Sequence, residues 1–236
     1  MSIPDPAVIM ITGASSGIGA SSCRLLAGPG RTLHLQGRDE SRLAALASEV
    51  ADSGGKAVVH RLDLADRAAV DAEAARLAKE LPRLDALIHS AGVVTLAPVE
   101  AADIADLDRQ YAINLRAPFA LTTALTPALV ASSGQVVFVN SGAGQRASPG
   151  WGQYASTKFG LRAIADAYRA EVAERGVRVT TIYPGRTATP MQAEVHRQEG
   201  RSYDPSAFAT PEDVASSIVH VLEMPRSASV PEISVR

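Results

Sequence analysis

The sequence predicts an α/β fold, in which a doubly wound, parallel sheet of seven strands carries helices on both faces. Seven short apolar segments have the length of strands, and the first six alternate with longer segments of helical periodicity. Several of these segments are apolar throughout, which is typical of strands covered on both faces. Hydrophobic residues make up 46% of the 236 residues and aromatic residues only 4%, so the predicted core is aliphatic.

The predicted strands are residues 8–12, 32–36, 57–62, 86–89, 136–140, 177–183 and 230–235. Strands alternating with helices form βαβ units with right-handed crossovers, which favours an open, Rossmann-like sheet. Local signals mark helix ends. Asp39 is a suitable N-cap for the second helix, and Thr210-Pro211 followed by two acidic residues is typical of a helix start. Gly176 is expected to end the helix that begins near Trp151.

Length and composition bear on domain organisation. The chain contains no Pro/Ser-rich linker, internal repeat or low-complexity segment, so residues 1–236 are predicted to form one domain. Residues 186–209 are the exception, with two prolines, mixed charge and weak periodicity. We expect a mobile substrate loop there, with one short helix.

Charge and composition argue against several classes of function. With 23 Lys and Arg against 25 Asp and Glu, the chain has no basic excess for binding nucleic acid. Its longest uncharged apolar segments are far shorter than the roughly 20 residues of a membrane span. Residues 1–5 lack a signal-peptide pattern, so a cytoplasmic protein is expected. The single cysteine, Cys23, excludes an intramolecular disulfide, and the five histidines lack metal-ligand spacing, so no metal site is expected.

A glycine-rich turn follows the first predicted strand and opens the first helix. Its candidate phosphate-binding residues are Gly13, Ser15, Ser16, Gly17, Ile18 and Gly19. The glycines allow a tight turn and close approach of the backbone to an anion, and the helix N-terminus suits a pyrophosphate. An ordinary strand-to-helix turn remains an alternative. No Lys-Ser or Lys-Thr pair follows, which disfavours a nucleoside-triphosphate loop.

The end of the second strand indicates which dinucleotide fits this turn. A site for NAD needs a carboxylate there for the adenosine ribose, whereas this chain has Gln36 and Gly37 followed by Arg38. A guanidinium matches a phosphate in bidentate geometry, so Arg38 favours NADP(H) over NAD(H). Two alternatives stay open: Arg38 as an ordinary surface residue, and Asp39 as the ribose ligand.

Three polar residues in the second half of the chain have the chemistry of proton transfer. Tyr154 and Lys158 are four residues apart at the start of a predicted helix, and therefore on one face. A nearby ammonium is expected to lower the tyrosine pKa, which is ordinarily about 10. Ser141 ends a strand at the carboxyl edge of the sheet, where its hydroxyl suits a substrate oxygen.

Together these segments resemble the short-chain dehydrogenase/reductase family in its single-domain form. The resemblance covers nearly the whole chain, and the segments occur in the order and spacing of the family. They are residues 12–19, Asp63-Leu64, Ser90-Ala91-Gly92, Asn114, Ser141, Tyr154 with Lys158, and Pro184-Gly185. The resemblance implies a nicotinamide-dependent oxidoreductase.

The resemblance also implies a role for each matching residue. Tyr154 is the general acid or base, Ser141 polarises the substrate oxygen, and Lys158 lowers the tyrosine pKa and binds the nicotinamide ribose. Asn114 distorts a helix and orders a water in a proton relay. Further cofactor contacts are expected from Asp63, Leu64, Ser90, Ala91, Gly92, Pro184, Gly185, Thr187 and Thr189.

Two features depart from the family pattern. The family usually has Asn where this chain has Ser90, and the shorter side chain is expected to weaken the tie between strands. Many relatives end in a Gly-Gly segment that this chain lacks, which is expected to weaken an end-to-end subunit contact. The contact made by helices near 103–130 and 151–174 is unaffected, so a homodimer or homotetramer is expected.

We therefore predict an NADP(H)-dependent oxidoreductase that acts on a small carbonyl compound or secondary alcohol. The candidate pocket is mostly small and apolar, with Gln145 and Arg146 as polar groups and Trp151 as a wall or packing residue. Its other expected members are Val93, Val94, residues 142–144 and 184–189, Met191 and the segment through Tyr203. The alternative is a non-catalytic NADP(H)-binding sensor or scaffold; a sugar-nucleotide epimerase suits a longer chain.

Overall fold

Seven parallel strands form one sheet in the structure, a computed structural model that describes residues 3–236. The strands are β1 (Ala7–Thr12), β2 (Arg31–Gly37), β3 (Lys56–Arg61), β4 (Ala86–His89), β5 (Gln135–Val139), β6 (Arg178–Pro184) and β7 (Glu232–Val235). Their order is β3-β2-β1-β4-β5-β6-β7, and every neighbouring pair is parallel. The predicted fold class is confirmed. Met1 and Ser2, the start of the segment without a signal-peptide pattern, lie outside the described residues.

Helices cover both faces of this sheet. They are α1 (Gly17–Leu26), α2 (Glu40–Asp52), α3 (Arg67–Glu80), α4 (Ile104–Tyr111), α5 (Ala117–Ala131), α6 (Gly152–Val172), α7 (Pro190–Gln198) and α8 (Pro211–Glu223). Ile9 and Ile11 of β1 pack with α1, α2 and α8, whereas Met10 between them packs with α3, α5 and α6. Because side chains alternate along a strand, one apolar segment supplies both cores.

The predicted helix ends are present. The Asp39 carboxylate accepts a hydrogen bond from the Arg42 N–H at 3.1 Å. Thr210 and Asp213 form a reciprocal capping box at the start of α8. Gly176 lies at φ +76°, directly after a 3₁₀ turn that extends α6. No helix among residues 3–236 is long and apolar enough to cross a membrane.

The chain reverses its direction across the sheet at β1, which pairs with both β2 and β4. In open parallel sheets the crevice at such a switch point, outside the carboxyl ends of the strands, is where ligands bind. The glycine turn after β1, Ser90 after β4 and Ser141 after β5 all meet at this edge.

The segment 186–209 contains the predicted short helix, which is α7. The Thr189 hydroxyl caps it by accepting from the Gln192 N–H at 3.2 Å. At its other end the Gln198 amide oxygen accepts from the Leu96 N–H at 2.7 Å. Both ends of α7 are therefore tied down, and the helix lies over the carboxyl edge of the sheet.

Candidate active site

The turn between β1 and α1 is held against the segment that follows β4. A Cβ atom on Gly13 would lie 2.8 Å from the backbone N and Cα of Ala91, and Gly13 has φ +70°. Only glycine fits both conditions. The Thr12 hydroxyl accepts hydrogen bonds from the N–H groups of Ser90 and Ala91, each at 3.2 Å. This connection uses the backbone of Ser90, so the shorter side chain there does not break it.

The beginning of α1 leaves N–H groups available to a ligand. The side chain of the N-cap residue Ser16 makes no capping hydrogen bond, and the first turn of α1 contains no acidic residue. Free N–H groups and the helix dipole together favour an anion at this point. Gly19 lies behind the turn, where a Cβ atom would overlap the Gly13 carbonyl, so its contribution is close packing.

A cleft, here called the glycine cleft, opens along this turn. Most of the predicted cofactor residues line it: Gly13, Ser15, Ser16, Gly17, Ile18, Arg38, Asp63, Leu64, Ser90, Ala91, Gly92 and Thr189. The Asp63 carboxylate at its wall accepts from the Ala65 N–H at 3.0 Å. These residues come from the segments that follow five strands, β1, β2, β3, β4 and β6, and the sheet brings them together.

The structure separates the roles of Gln36, Arg38 and Asp39. The buried Gln36 amide donates to the Leu62 carbonyl at 2.7 Å and accepts from the Gly13 N–H at 3.4 Å, which fixes the turn. The Asp39 carboxylate is occupied by the start of α2, and these hydrogen bonds lower its pKa. Arg38 is exposed at the cleft and makes no salt bridge within residues 3–236.

A second cleft, the tyrosine cleft, adjoins the first. Among its lining residues are the predicted Ser141, Tyr154, Lys158, Pro184, Gly185 and Thr187. Five residues line both clefts: Ile18, Ser90, Gly92, Thr189 and Met191. The two clefts are therefore parts of one groove along the edge of the sheet.

The tyrosine and serine side chains both line this second cleft. Ser141 acts to lower the pKa of Tyr154, against the effect of burial, and the Ser141 hydroxyl accepts from the Ala143 N–H at 3.1 Å. Lys158 lies with its Nζ atom 5.8 Å from the centre of the Tyr154 ring and donates to the Val139 carbonyl at 3.1 Å.

Burial decides the protonation of this group. It raises the pKa of Tyr154 to about 12, a shift that Ser141 opposes, and lowers the pKa of Lys158 to about 8. The sequence predicts a lowered tyrosine pKa, and the shift in the structure has the opposite sign. The physical reason is that burial removes the phenolate from water, and this effect outweighs the opposing effect of Ser141.

Asn114 lies behind the two clefts and is fully buried. It sits in a π-helical turn, Ala112–Arg116, between α4 and α5, so the helix distortion implied by the resemblance is present. Its amide accepts from the Val93 N–H and donates to the Val93 carbonyl, both at 2.9 Å, and also donates to the Thr157 hydroxyl at 3.1 Å. Asn114 thus joins the loop after β4 to the helix that carries Tyr154.

Sequence reasoning misses Asn140 as a positioning residue. Its amide oxygen accepts from the Ser141 N–H at 2.8 Å, and its amide nitrogen donates to the Lys158 carbonyl at 3.0 Å. A Cβ atom on Gly144 would collide with this amide. The one available signal is a polar residue at the end of an otherwise apolar strand, directly before the serine.

The outer walls of the tyrosine cleft contain Trp151, Arg146 and Arg186. Arg186 donates to both carboxylate oxygens of Glu199, at 2.7 and 2.9 Å, and its guanidinium carbon lies 5.9 Å from the centre of the Trp151 ring. Of the other predicted pocket residues, Val94, Gly142, Ala143 and Met191 line this cleft and Val93 lines the glycine cleft. Gln145 and Tyr203 line neither cleft. Tyr203 packs against His196 and Phe208 instead.

The parallel sheet and the glycine turn at its switch point define a nucleotide-binding α/β protein, with a Ser–Tyr–Lys group beside the turn. A family model for the short chain dehydrogenases matches residues 7–200. The chain therefore belongs to the short-chain dehydrogenase family, as its motifs predict, and is an oxidoreductase of that family.

Relatives and solved structures agree with this assignment. The chain is 33% identical over 236 residues to the glycine betaine reductase ATRR of Emericella nidulans, covering 97% of this chain but only 18% of that protein. It is 33% identical over 189 residues to the cyclopentanol dehydrogenase of Comamonas sp., covering 80% of this chain and 76% of that one. A short-chain dehydrogenase from Escherichia coli CFT073, solved in complex with NADPH, superposes with a TM-score of 0.88 at 30% identity, covering 99% of this chain and 98% of that chain.

Proposed function

We propose that this protein is an NADP(H)-dependent oxidoreductase that interconverts a small carbonyl compound and the corresponding secondary alcohol, with Tyr154 as general acid and base. The observation that carries the proposal is that Tyr154, Ser141 and Lys158 line one cleft, which is continuous with the cleft along the glycine turn. In this proposal residues 1–236 act as one domain, and residues 186–209 cover the substrate.

The residues of the glycine cleft fit NADP(H). The turn at Gly13 has no room for a side chain, the start of α1 offers free N–H groups, and Arg38 has no carboxylate partner within residues 3–236. These features suit a pyrophosphate and a 2′-phosphate. Structural relatives solved with NADP or NADPH support the same choice. When bound, the dinucleotide supplies the hydride chemistry, which the protein orients and tunes.

The chain's own groups manage the proton. Because burial raises the pKa of Tyr154 to about 12, its hydroxyl is protonated at neutral pH and is ready to donate to a substrate oxygen. Ser141 holds that oxygen with a second hydroxyl, and Asn140 and Asn114 fix the segments that carry both groups. A non-catalytic sensor is not favoured, since dinucleotide binding alone does not require a serine and a buried tyrosine in the adjoining cleft.

Replacement of Tyr154 by Phe tests the mechanism. With NADPH and a panel of small carbonyl compounds, we expect kcat/KM to fall at least about a hundredfold, the lower range for general acid–base catalysis. Tyr168→Phe is the matched control, because this buried tyrosine lies in the same helix, bonds to the Thr126 hydroxyl at 3.0 Å and lines neither cleft. Equal turnover by Tyr154→Phe and wild-type protein would refute the mechanism.

Replacement of Arg38 by Ala tests the cofactor. Loss of a charge-assisted bond of about 1.5–3 kcal/mol predicts a roughly 10- to 100-fold weaker affinity for NADPH, with no corresponding loss for NADH. Arg42→Ala is the control, since this neighbouring arginine pairs with Asp39 at 3.2 Å outside the cleft. An unchanged NADPH affinity in Arg38→Ala would show that the phosphate assignment is wrong.

A second copy of this chain is the proposed protein partner. Large apolar side chains are exposed on and beside α4, α5 and α6, with Ile104 68% and Phe119 54% accessible, and such surfaces mark interaction sites. Ile104→Glu combined with Phe119→Glu is expected to convert a dimer or tetramer to smaller species in sedimentation experiments. Leu25→Glu, at an exposed position on α1, serves as the control. A wild-type monomer would contradict this part of the proposal.

A further inference from the structure

From the charges around the tyrosine cleft, we infer that the substrate carries a carboxylate a short distance from its reacting carbonyl or alcohol carbon. The inference rests on the proposed oxidoreductase function and names the substrate class. Three charged residues line this cleft, Lys158, Arg146 and Arg186, and all are basic. No aspartate or glutamate of residues 3–236 belongs to the lining. Glu199 balances the charge of Arg186 from outside it, so Arg146 and Lys158 give the cleft its excess of positive charge, which attracts anions.

Arg146 is the exposed member of this set, and it has no carboxylate partner within residues 3–236. It follows the 3₁₀ turn Gly142–Gly144, and its backbone N–H donates to the Gly142 carbonyl at 3.1 Å, which anchors its main chain at the rim. Its side chain is exposed and forms no salt bridge within residues 3–236. A guanidinium without a protein partner is suited to bind a planar carboxylate in bidentate geometry.

Arg186 provides a second, fixed guanidinium beside Trp151. Its Nη2 atom is committed to Glu199, and its Nη1 atom is buried without an acceptor among residues 3–236. A buried N–H without an acceptor is costly, so an anionic oxygen close to this guanidinium stabilises the bound state. The Glu199 pair keeps the guanidinium in one orientation before any ligand arrives.

The spacing of the aromatic residues relates this cation to the reacting hydroxyl. The Trp151 ring lies 5.9 Å from the Arg186 guanidinium carbon and 5.9 Å from the Tyr154 ring. The Arg186 guanidinium carbon is therefore separated from the centre of the tyrosine ring by no more than the sum of these two distances, so one small substrate can contact both groups.

The N-terminus of α6 also favours an anionic ligand in this cleft. Trp151, its N-cap residue, offers no side-chain acceptor, and the first turn of this 21-residue helix contains no acidic residue. Ser148 and Trp151 both line the cleft, so the positive end of the helix dipole faces the ligand. The basic residues of the tyrosine cleft and the dipole of α6 together favour a carboxylate over a neutral group at the same position.

A matched pair of substrates tests the inference: a short keto acid and the corresponding keto amide, each offered with NADPH. We expect the wild-type enzyme to prefer the acid in kcat/KM by about tenfold or more, the effect of one charge-assisted bond. Arg146→Gln is expected to lower this acid-to-amide ratio about tenfold. Arg197→Gln, an exposed arginine of α7 that pairs with Glu194 and lines neither cleft, leaves the ratio unchanged.

A binding experiment separates this inference from the proposed function. Trp151 is the only tryptophan of the chain, so its fluorescence reports the titration of the keto acid and keto amide without turnover. Selective binding of the acid that is lost in Arg146→Gln, together with no turnover of either compound, would refute the proposed reaction on a small carbonyl compound and support the carboxylate site. Equal binding of acid and amide, or a ratio that Arg146→Gln does not change, would overturn the carboxylate site even in an active enzyme.

Discussion

Replacing Asn140 by Ala removes the clamp between the serine and the catalytic helix. The side chain is buried, and its two hydrogen bonds, to the Ser141 N–H at 2.8 Å and to the Lys158 carbonyl at 3.0 Å, are lost together. Each buried backbone group left without its partner costs about 1–3 kcal/mol, so the free energy of unfolding is expected to fall by about 2–6 kcal/mol. The urea midpoint falls accordingly, with an unchanged slope.

The same change is expected to reduce activity, because Ser141 and the helix carrying Tyr154 lose their shared anchor. A displacement of about 1 Å in a catalytic group lowers the rate by about a hundredfold. Gly144→Ala probes the clamp from the other side, since its Cβ atom would lie 2.9 Å from the Asn140 Cγ and 3.0 Å from the Lys158 carbonyl oxygen. Both variants are measured by urea unfolding and by kcat/KM with NADPH and a small ketone.

Gln135→Ala is the matched control at the other end of β5. Its buried amide donates to the Leu222 carbonyl at 2.8 Å, far from both clefts, so this variant is expected to lose stability without losing activity. If Asn140→Ala behaves in the same way, with lower stability and normal kcat/KM, then Asn140 has a structural role only and the positioning argument is wrong.

Three further outcomes are expected. Thr12→Val removes the acceptor of two N–H groups after β4 and lowers the free energy of unfolding by about 1–3 kcal/mol in urea titrations; retention of full stability would contradict the role of this hydroxyl. Gly13→Ala combines a positive φ with backbone overlap, and is expected to weaken NADPH binding, whereas Gly200→Ala, with φ +66° and no neighbour within 4 Å, leaves binding unchanged. The free energy of unfolding falls as pH is lowered from about 6.5 to about 4, because burial lowers the pKa of His60 and lowers that of His34 to about 4, so the native state binds fewer protons than the unfolded chain. For His34 the upper limit is about 3 kcal/mol, and an equal pH dependence in His34→Gln would refute this assignment.

Local patterns were sufficient to predict the strands, the caps and the glycine turn. The caps at Asp39 and Thr210 depend on contacts within three residues of the chain, so the sequence near them contains the whole signal. The positioning contacts depend on distant partners. Gln36 reaches Leu62, 26 residues away, and Thr12 reaches Ala91, 79 residues away, and no local pattern records which distant backbone group a polar side chain meets.

The sequence by itself determined the α/β class, the position of the glycine turn and the spacing that places Tyr154 and Lys158 on one helix face, because these follow from periodicity and from residue types at short spacing. The tertiary structure alone decided that Arg186 is held by Glu199 whereas Arg38 and Arg146 form no salt bridge within residues 3–236, and that burial raises rather than lowers the pKa of Tyr154. Pairing and desolvation arise only when the chain is packed, since both depend on which groups exclude water from one another.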